Sequence, residues 1–113
     1  MVTVLSKSLR LAAIALLLTL APVTARAQSY TITLKDHRFQ PAELTVPSGK
    51  RITVTVVNED PTPEEFESRE LKFEKVIPGK SKGVVRFGPL AKGRYTFFGE
   101  YHEDTAKGVV VAE

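Results

Sequence analysis

The 113-residue sequence contains no cysteine and no tryptophan. The absence of cysteine excludes disulfide bonds, thiolate metal ligands and cysteine nucleophiles. A blue copper centre is excluded for the same reason, because it needs a Cys thiolate beside two imidazoles. A metal site in this chain would therefore depend on its 2 histidines and its 13 aspartates and glutamates.

An excess of charge of one sign is also absent once the first 27 residues are set apart. The formal net charge is +3, but those residues contain three of the sixteen basic residues, Lys7, Arg10 and Arg26, and no Asp or Glu. Residues 28–113 therefore carry 13 basic and 13 acidic side chains. Because a balanced charge gives no long-range attraction to phosphate, the sequence predicts no nucleic-acid partner.

Residues 1–27 have the organisation of an export signal. An apolar run over residues 11–21 follows two basic residues and precedes Ala25-Arg26-Ala27, whose small residues suit a signal peptidase. A run of this length covers only about half of a roughly 30 Å hydrocarbon core, so a membrane-spanning helix is not favoured. The sequence predicts cleavage after Ala27 and a mature domain, residues 28–113, without a transmembrane segment. The expected location is the periplasm.

Helix signals are nearly absent from the predicted mature domain, and strand signals take their place. Six segments are rich in Thr, Val, Ile, Phe and Tyr, namely residues 30–35, 42–46, 50–58, 82–87, 94–98 and 108–112. Within one of them Ile52, Val54 and Val56 share a face, which predicts a strand with one buried and one solvated side. The pattern predicts an all-β sandwich of two antiparallel sheets.

Residues 59–81 interrupt this rhythm with seven carboxylates between Glu59 and Glu74. Such a run is commonly a solvated loop. Here Asp60-Pro61-Thr62-Pro63 is stiff, because each proline fixes its own backbone and restricts the residue before it. We therefore expect the acidic residues that follow to be held in place.

Phe66 provides a reference for the orientation of these acids. If Phe66 points into the core from a strand, Glu64 faces inward with it, while Glu65 and Glu67 face outward. A one-residue bulge would reverse this, so the choice between Glu64 and Glu65 as a ligand stays open. An inward carboxylate needs a cation or a hydrogen bond to offset its desolvation.

The C-terminal segment RYTFFGEYHEDTAKGVVV, residues 94–111, resembles the last hairpin of cupredoxins. In that fold an aromatic-rich strand delivers a Cys and then a His, and Gly99 and His102 stand at these two positions. Cupredoxins place their first His after the Asn that ends a strand, whereas here Asn58 leads to Glu64-Glu65. The resemblance implies a cupredoxin-like Greek-key β-sandwich of about seven or eight strands, without the blue copper ligands.

Four strings extend the resemblance from about residue 31 to the end: HRFQPAELTVPSGK, VNEDPTPEEFES, FEKVIPGK and GPLAKGRYTFFGEYHEDTAKG. Together they resemble small periplasmic cupredoxin-like proteins of bacterial iron uptake, related to the cupredoxin domain of Efe-type proteins and to the Ftr-type ferrous-iron system. This resemblance implies binding or oxidation of iron or copper. It also implies a partner, either a membrane iron permease or another periplasmic component of iron uptake.

One imidazole with several carboxylates is a donor set for iron or Cu(II). His102 is the first candidate ligand, because it lies in the loop where cupredoxins bind metal. The carboxylates that we expect to join it are Glu64, Glu65, Glu67, Glu74, Glu100 and Glu103. His37, the other histidine, lies beside Asp36. It could form a second site of low affinity or be a surface residue, and the surface interpretation is favoured.

The sequence thus predicts a periplasmic metal-binding protein of iron uptake that holds an iron or a copper ion. An enzymatic role would be at most a ferroxidase-like activity that depends on bound copper, since the chain has no nucleophile-base pattern or phosphate loop. The alternative is a metal-free cupredoxin-fold module that docks a partner protein through its acidic end.

Overall fold

The computed structural model describes residues 28–113, and the predicted signal peptide lies outside the described residues. Strands separated by short turns make up almost all of this part, with one short 3-10 helix, η1. The elements are β1 Gln28–Lys35, β2 Arg38–Gln40, β3 Glu43–Val46, β4 Ile52–Asn58, β5 Glu64–Ser68, β6 Phe73–Ile77, β7 Ser81–Phe87, β8 Gly93–Gly99, η1 Glu100–His102 and β9 Lys107–Ala112. Within residues 28–113 no helix is long and apolar enough to cross a membrane.

The strands form two sheets that pack as a sandwich. One sheet has the order β2-β1-β4-β7 and the other has the order β3-β9-β8-β5-β6. The predicted all-β sandwich is confirmed, with nine strands in place of about seven or eight. Each of the six predicted segments corresponds to a strand, and three strands lie outside them. The sequence suggested β5 only through the inward position of Phe66. It missed β2, which is very short, and β6, which alternates weakly.

Both sheets are mixed, so the prediction of two antiparallel sheets is wrong. β1 runs parallel to β4, and β3 runs parallel to β9. Alternation of apolar and polar residues shows that a strand has one buried face, but it does not distinguish the two directions of pairing. The parallel strands β1 and β4 have their C-terminal ends side by side, where Leu34 lies opposite Asn58.

The core lies between the two inner faces. The alternation predicted for β4 is confirmed, because Ile52, Val54 and Val56 are each at most 1% exposed. Phe66 and Phe97 pack edge to face with ring centroids 5.2 Å apart. Such aromatic pairs contribute about 0.5–1.5 kcal/mol beyond the area they bury. Phe66 therefore fixes which face of β5 points inward.

Candidate metal centre

Three segments meet at one end of the sandwich and bring two histidines and a glutamate together. His37 comes from the turn between β1 and β2, Glu64 begins β5, and His102 ends η1. One ligand atom from each residue lies within 4.8 Å of those from the other two. The sandwich thus joins donors that are far apart in the chain.

Glu64 is the buried member of this group. Its neighbour Phe66 points into the core, so Glu64 faces inward as well, and it is 1% exposed. Its Oε1 accepts hydrogen bonds from the backbone N–H of Tyr101, at 2.9 Å, and of Glu65, at 3.1 Å. Its Oε2 lies 2.5 Å from Nδ1 of His102. These contacts offset the desolvation of the carboxylate, and the strand places Glu64 rather than Glu65 on the inner face.

Gly99 makes room for the Glu64 carboxylate. A Cβ at position 99 would lie 2.6 Å from Cδ of Glu64 and 2.8 Å from Cβ of Ala106. These distances are far below ordinary van der Waals contact. Gly99 stands where cupredoxins have their Cys in the sequence resemblance. The carboxylate from β5 therefore fills the space beside this position, and an anionic oxygen stands close to where a thiolate would be.

His37 lies beside Glu64 and His102, whereas the sequence favoured a surface residue and offered a separate site of low affinity as the alternative. Its ring stacks on the ring of His102 with centroids 3.6 Å apart and an interplanar angle of 13°. The His37 side chain is 41% exposed, so this histidine lies at the surface and also packs against the site. Asp36 and His37 form a two-residue hairpin turn with φ values of 51° and 57°. Positive φ at both positions is the geometry of a type I′ turn, which Asp adopts more readily than most residues other than glycine.

Asp60 stabilises this turn from the loop after β4. Its carboxylate accepts hydrogen bonds from the backbone N–H of Asp36, at 2.8 Å, and of His37, at 3.0 Å. Its Oδ2 also lies 3.5 Å from Nδ1 of His37. Burial acts to raise the pKa of Asp60, but the backbone hydrogen bonds from His37 and Asp36 outweigh it, and the pKa is lowered. Asp60 thus orients both the backbone and the ring of His37.

Asn58 in turn fixes the loop that carries Asp60. Its Oδ1 accepts a hydrogen bond from the backbone N–H of Asp60 at 3.0 Å. Its Nδ2 donates to the carbonyl oxygens of Thr62, at 2.9 Å, and Ile77, at 3.2 Å. Because Asn58 is 1% exposed, these bonds form in a dry environment where an unpaired amide would be costly.

The other predicted ligands lie elsewhere. Glu65, Glu67 and Glu100 form a second cluster, with one carboxylate oxygen of each within 4.8 Å of the others. Glu74 is exposed and lies directly opposite Glu67 on β6. Glu103 is exposed and belongs to neither of these two clusters. The structure therefore divides the single predicted ligand set, and only Glu64 and His102 of that set lie beside His37.

The acidic cluster changes the protonation of its members. The pKa of Glu65 is raised to about 7, first by the contact with the Glu74 carboxyl, then by burial and by Glu100. As a carboxylate, Glu65 has an Oε1 without a hydrogen-bond partner. A proton turns the contact with Glu74 or Glu100 into a hydrogen bond, and this is why the neutral form is favoured. Burial, Glu100 and Glu74 likewise raise the pKa of Glu67.

Comparison with known proteins gives the class of this chain. The profile of the cupredoxin-like domain matches residues 8–112, and the chain belongs to this family. An uncharacterized protein of Rickettsia prowazekii (strain Madrid E) is 42% identical over 81 residues, which span 71% of this chain and 64% of that protein.

Solved structures share the fold at lower identity. The metal-binding domain of the Cu(I)-exporting P-type ATPase CopA of Streptococcus pneumoniae D39, solved with Cu(I), has a TM-score of 0.64 and 21% identity, covering 75% of this chain and 84% of that one. A reduced Cu(I) form of an amicyanin mutant has a TM-score of 0.62 and 19% identity over 75% of this chain and 82% of that one. Auracyanin of Roseiflexus castenholzii has a TM-score of 0.61 and 18% identity, over 77% and 98% of the two chains. These likenesses establish the cupredoxin-like fold.

Proposed function

We propose that this protein binds one copper ion, as Cu(II), between His37, Glu64 and His102. The observation that carries the proposal is the convergence of these three donors within 4.8 Å, with the carboxylate 1% exposed. Two imidazoles and a carboxylate suit Cu(II), whereas Cu(I) prefers soft sulfur ligands that this chain lacks. The likeness to proteins solved with copper gives this proposal independent support.

The site differs from a blue copper centre in its donor atoms. Without a Cys thiolate, bound Cu(II) would have nitrogen and oxygen ligands only. We expect the electron paramagnetic resonance spectrum of a tetragonal nitrogen and oxygen site. The intense visible absorption of a copper–thiolate bond should be absent.

Iron is the second candidate for the same donors. Two histidines and one carboxylate with open positions is the ligand set of many non-haem Fe(II) sites. Copper is favoured because, among divalent ions of the first transition row, Cu(II) binds a given site most tightly. Calorimetric titration of the purified protein with Cu(II), and anaerobically with Fe(II), measures this order directly.

Three variants test which residues bind the metal. His102→Ala and Glu64→Gln should each weaken Cu(II) binding by about tenfold or more, and His37→Ala should also weaken it. Glu103→Gln is the matched control, because Glu103 is an exposed carboxylate next to His102 outside both clusters. Wild-type affinity in His102→Ala would remove this histidine from the site.

The alternative of a metal-free docking module makes an opposite prediction. If the end of the sandwich only docks a partner protein, neither Cu(II) nor Fe(II) binds with a dissociation constant below about 0.1 mM, which corresponds to roughly 5.5 kcal/mol. The hydrogen bonds that Glu64 already accepts are the feature that favours this alternative. Calorimetry with both metals therefore separates the two functions.

The location and the wider role are proposals that rest on the sequence. The charge and apolar pattern of residues 1–27 supports export to the periplasm, with Gln28 as the new N-terminus. Mass spectrometry of the protein from a periplasmic fraction tests this. The sequence resemblance supports a role in iron uptake with a permease or another periplasmic partner. Measuring Fe(II) oxidation in air, against free copper at the same concentration, tests the ferroxidase-like activity.

A further inference from the structure

The outward face of β5 carries a group of carboxylates that the copper proposal does not use. Glu65 and Glu67 are two residues apart on one strand, so their side chains leave the sheet on the same side. Glu74 lies directly opposite Glu67 on β6, and η1 adds Glu100. Like charges directly opposite one another destabilise a sheet. This arrangement therefore carries an electrostatic cost that the fold does not require.

One member of the group is buried and lacks a hydrogen-bond partner. Glu65 is 7% exposed, and its Oε1 is the buried side-chain atom without a partner in the described part of the chain. A buried carboxylate oxygen without a donor loses its hydration and gains nothing in return. Glu64, by contrast, has partners for both of its oxygens. As a carboxylate, Glu65 therefore lacks a positive partner, which either a proton or a bound cation would supply.

No lysine or arginine of residues 28–113 supplies that charge through an ion pair with the cluster. Arg69 acts on Glu67, but its guanidinium lies over the ring of Phe98, 5.4 Å from the centroid. It only partly offsets the surrounding negative charge at Glu67. The cluster of Glu65, Glu67 and Glu100 therefore keeps an excess of negative charge.

We propose that Glu65, Glu67 and Glu100 form a second metal site, which binds a hard cation through carboxylate oxygens alone. Their ligand atoms lie within 4.8 Å of one another. Hard cations such as Ca²⁺, Mn²⁺ and Fe³⁺ prefer such oxygen donors, whereas Cu(II) is favoured where imidazole is present. Because adjacent residues of a strand point to opposite faces, Glu64 and Glu65 serve different sites. The imidazole site would thus bind Cu(II), and the carboxylate cluster would bind a hard cation that prefers oxygen ligands.

Terbium(III) is a suitable probe, because it is a hard trivalent ion whose emission is sensitised by a nearby tyrosine. Tyr101 follows Glu100 directly, is 49% exposed, and has a pKa raised by burial and by the charges of Glu65 and Glu100. The chain has no tryptophan to obscure the signal. Tyrosine excitation should give saturable terbium emission, and Tyr101→Phe should remove most of it while calorimetry still detects terbium binding.

Charge-neutralising variants decide whether the cluster is the site. Glu65→Gln and Glu100→Gln should each weaken terbium binding by about tenfold or more. Glu43→Gln is the matched control, because Glu43 pairs with Arg94 on β8 and lies on the edge strand β3 of the same sheet. Its terbium affinity should equal that of the wild type.

Two results would overturn the proposal. One is the absence of wild-type terbium binding up to millimolar concentration, and the other is wild-type affinity in both Glu65→Gln and Glu100→Gln. Thermal unfolding of each variant shows whether the fold is intact, and the exposed Glu100 remains informative if the buried Glu65 position proves sensitive. Glu64→Gln should weaken Cu(II) binding while leaving terbium binding intact, so failure of one site is distinguishable from failure of the other.

Discussion

At the scale of single residues, the site depends on one side chain that is present and one that is missing. Glu64 brings a carboxylate into the interior, and Gly99 leaves the space that it occupies. Where the resemblance to cupredoxins places a Cys thiolate on β8, this protein has a glycine, and a carboxylate on the neighbouring strand β5 lies beside it. The Cβ of a cysteine introduced at position 99 would clash with Glu64, so that substitution alone would not create a blue copper centre.

We expect Gly99→Ala to displace Glu64 and weaken Cu(II) binding by about tenfold, with a loss of stability of about 1–3 kcal/mol from overpacking. Gly83→Ala is the control, since a Cβ there would meet Ile77 Cγ1 at 3.1 Å, a side chain of the core and not of the site. Calorimetry and thermal unfolding measure both effects. Normal copper affinity in Gly99→Ala would show that Glu64 does not bind the metal.

Asp60→Asn tests the residue that orients His37. The variant loses the charge and part of the hydrogen bonding to the turn, so we expect copper affinity to fall by about 10–100-fold. The lowered pKa of Asp60 also sets a pH dependence of stability. The contribution of Asp60 to the free energy of unfolding is present above its ordinary pKa of 3.8. It is lost as the pH falls through the lower pKa of the folded state. Urea unfolding from pH 6 to pH 3 should show a smaller acid loss in the variant.

At the scale of elements, β5 separates two kinds of chemistry. Its inner face carries Glu64 and Phe66, and its outer face carries Glu65 and Glu67. The alternation of side chains along a strand gives this division without any irregularity in the backbone. A strand of five residues thus contributes one donor to the imidazole site and two to the carboxylate cluster.

The raised pKa of Glu65 makes the stability of this region depend on pH. Its folded pKa is about 7 and its ordinary value is 4.5, so the folded state binds the proton more tightly. The resulting stability is fully present below pH 4.5 and is lost as pH rises through about 7. We expect urea unfolding with chelator present to show lower stability at pH 8 than at pH 5. The groups that face this carboxyl are Glu67 on β5, Glu74 on β6, and Glu100 and Tyr101 on η1.

Glu65→Gln should reduce that difference, because a neutral amide keeps the same charge at both pH values. Glu43→Gln, on the opposite edge of the sheet, should leave the difference as it is in the wild type. An unchanged difference in Glu65→Gln would assign the pH dependence to other groups.

The sequence predicted the strands with strong alternation and missed the weak ones. β4 has clear apolar positions at every second residue, and its faces were predicted correctly. Phe66 gave the orientation of Glu64, because a phenylalanine within an acidic strand has a strong reason to point inward. The sequence pattern did not predict β2 and β6, because these strands form through pairing with their neighbours and their own composition gives only a weak signal.

The place of His37 could not be derived from alternation, because it depends on how β1 pairs. Parallel pairing with β4 brings the end of β1 beside Asn58 and the loop that carries Asp60. A local signal was present in Asp36-His37, two residues between strand-like segments that suit a hairpin turn. The stack on His102 additionally requires both sheets to be in place.

At the scale of the whole molecule, metal binding should join segments that are remote in sequence. An ion held by His37, Glu64 and His102 connects both sheets. It would bind the folded state but not the unfolded state, and it would therefore stabilise the fold. At 100 times the dissociation constant, Cu(II) should add about 2.7 kcal/mol to the free energy of unfolding. For a domain of this size that corresponds to a rise in melting temperature of roughly 10 °C or more. Thermal-shift measurements should show the rise in wild type and its loss in His102→Ala.

The parallel pairing of distant strands has a consequence for the order in which the protein matures. β3 pairs with β9, so residues 43–46 meet residues 109–112 only after nearly the whole domain has been synthesised. Contacts between residues so far apart in sequence form slowly, because closing the long loop between them costs chain entropy before the contact stabilises the structure. The donors at positions 37, 64 and 102 cannot converge before those loops close. On the proposed copper site, metal loading would follow the folding of the sandwich and would not start it.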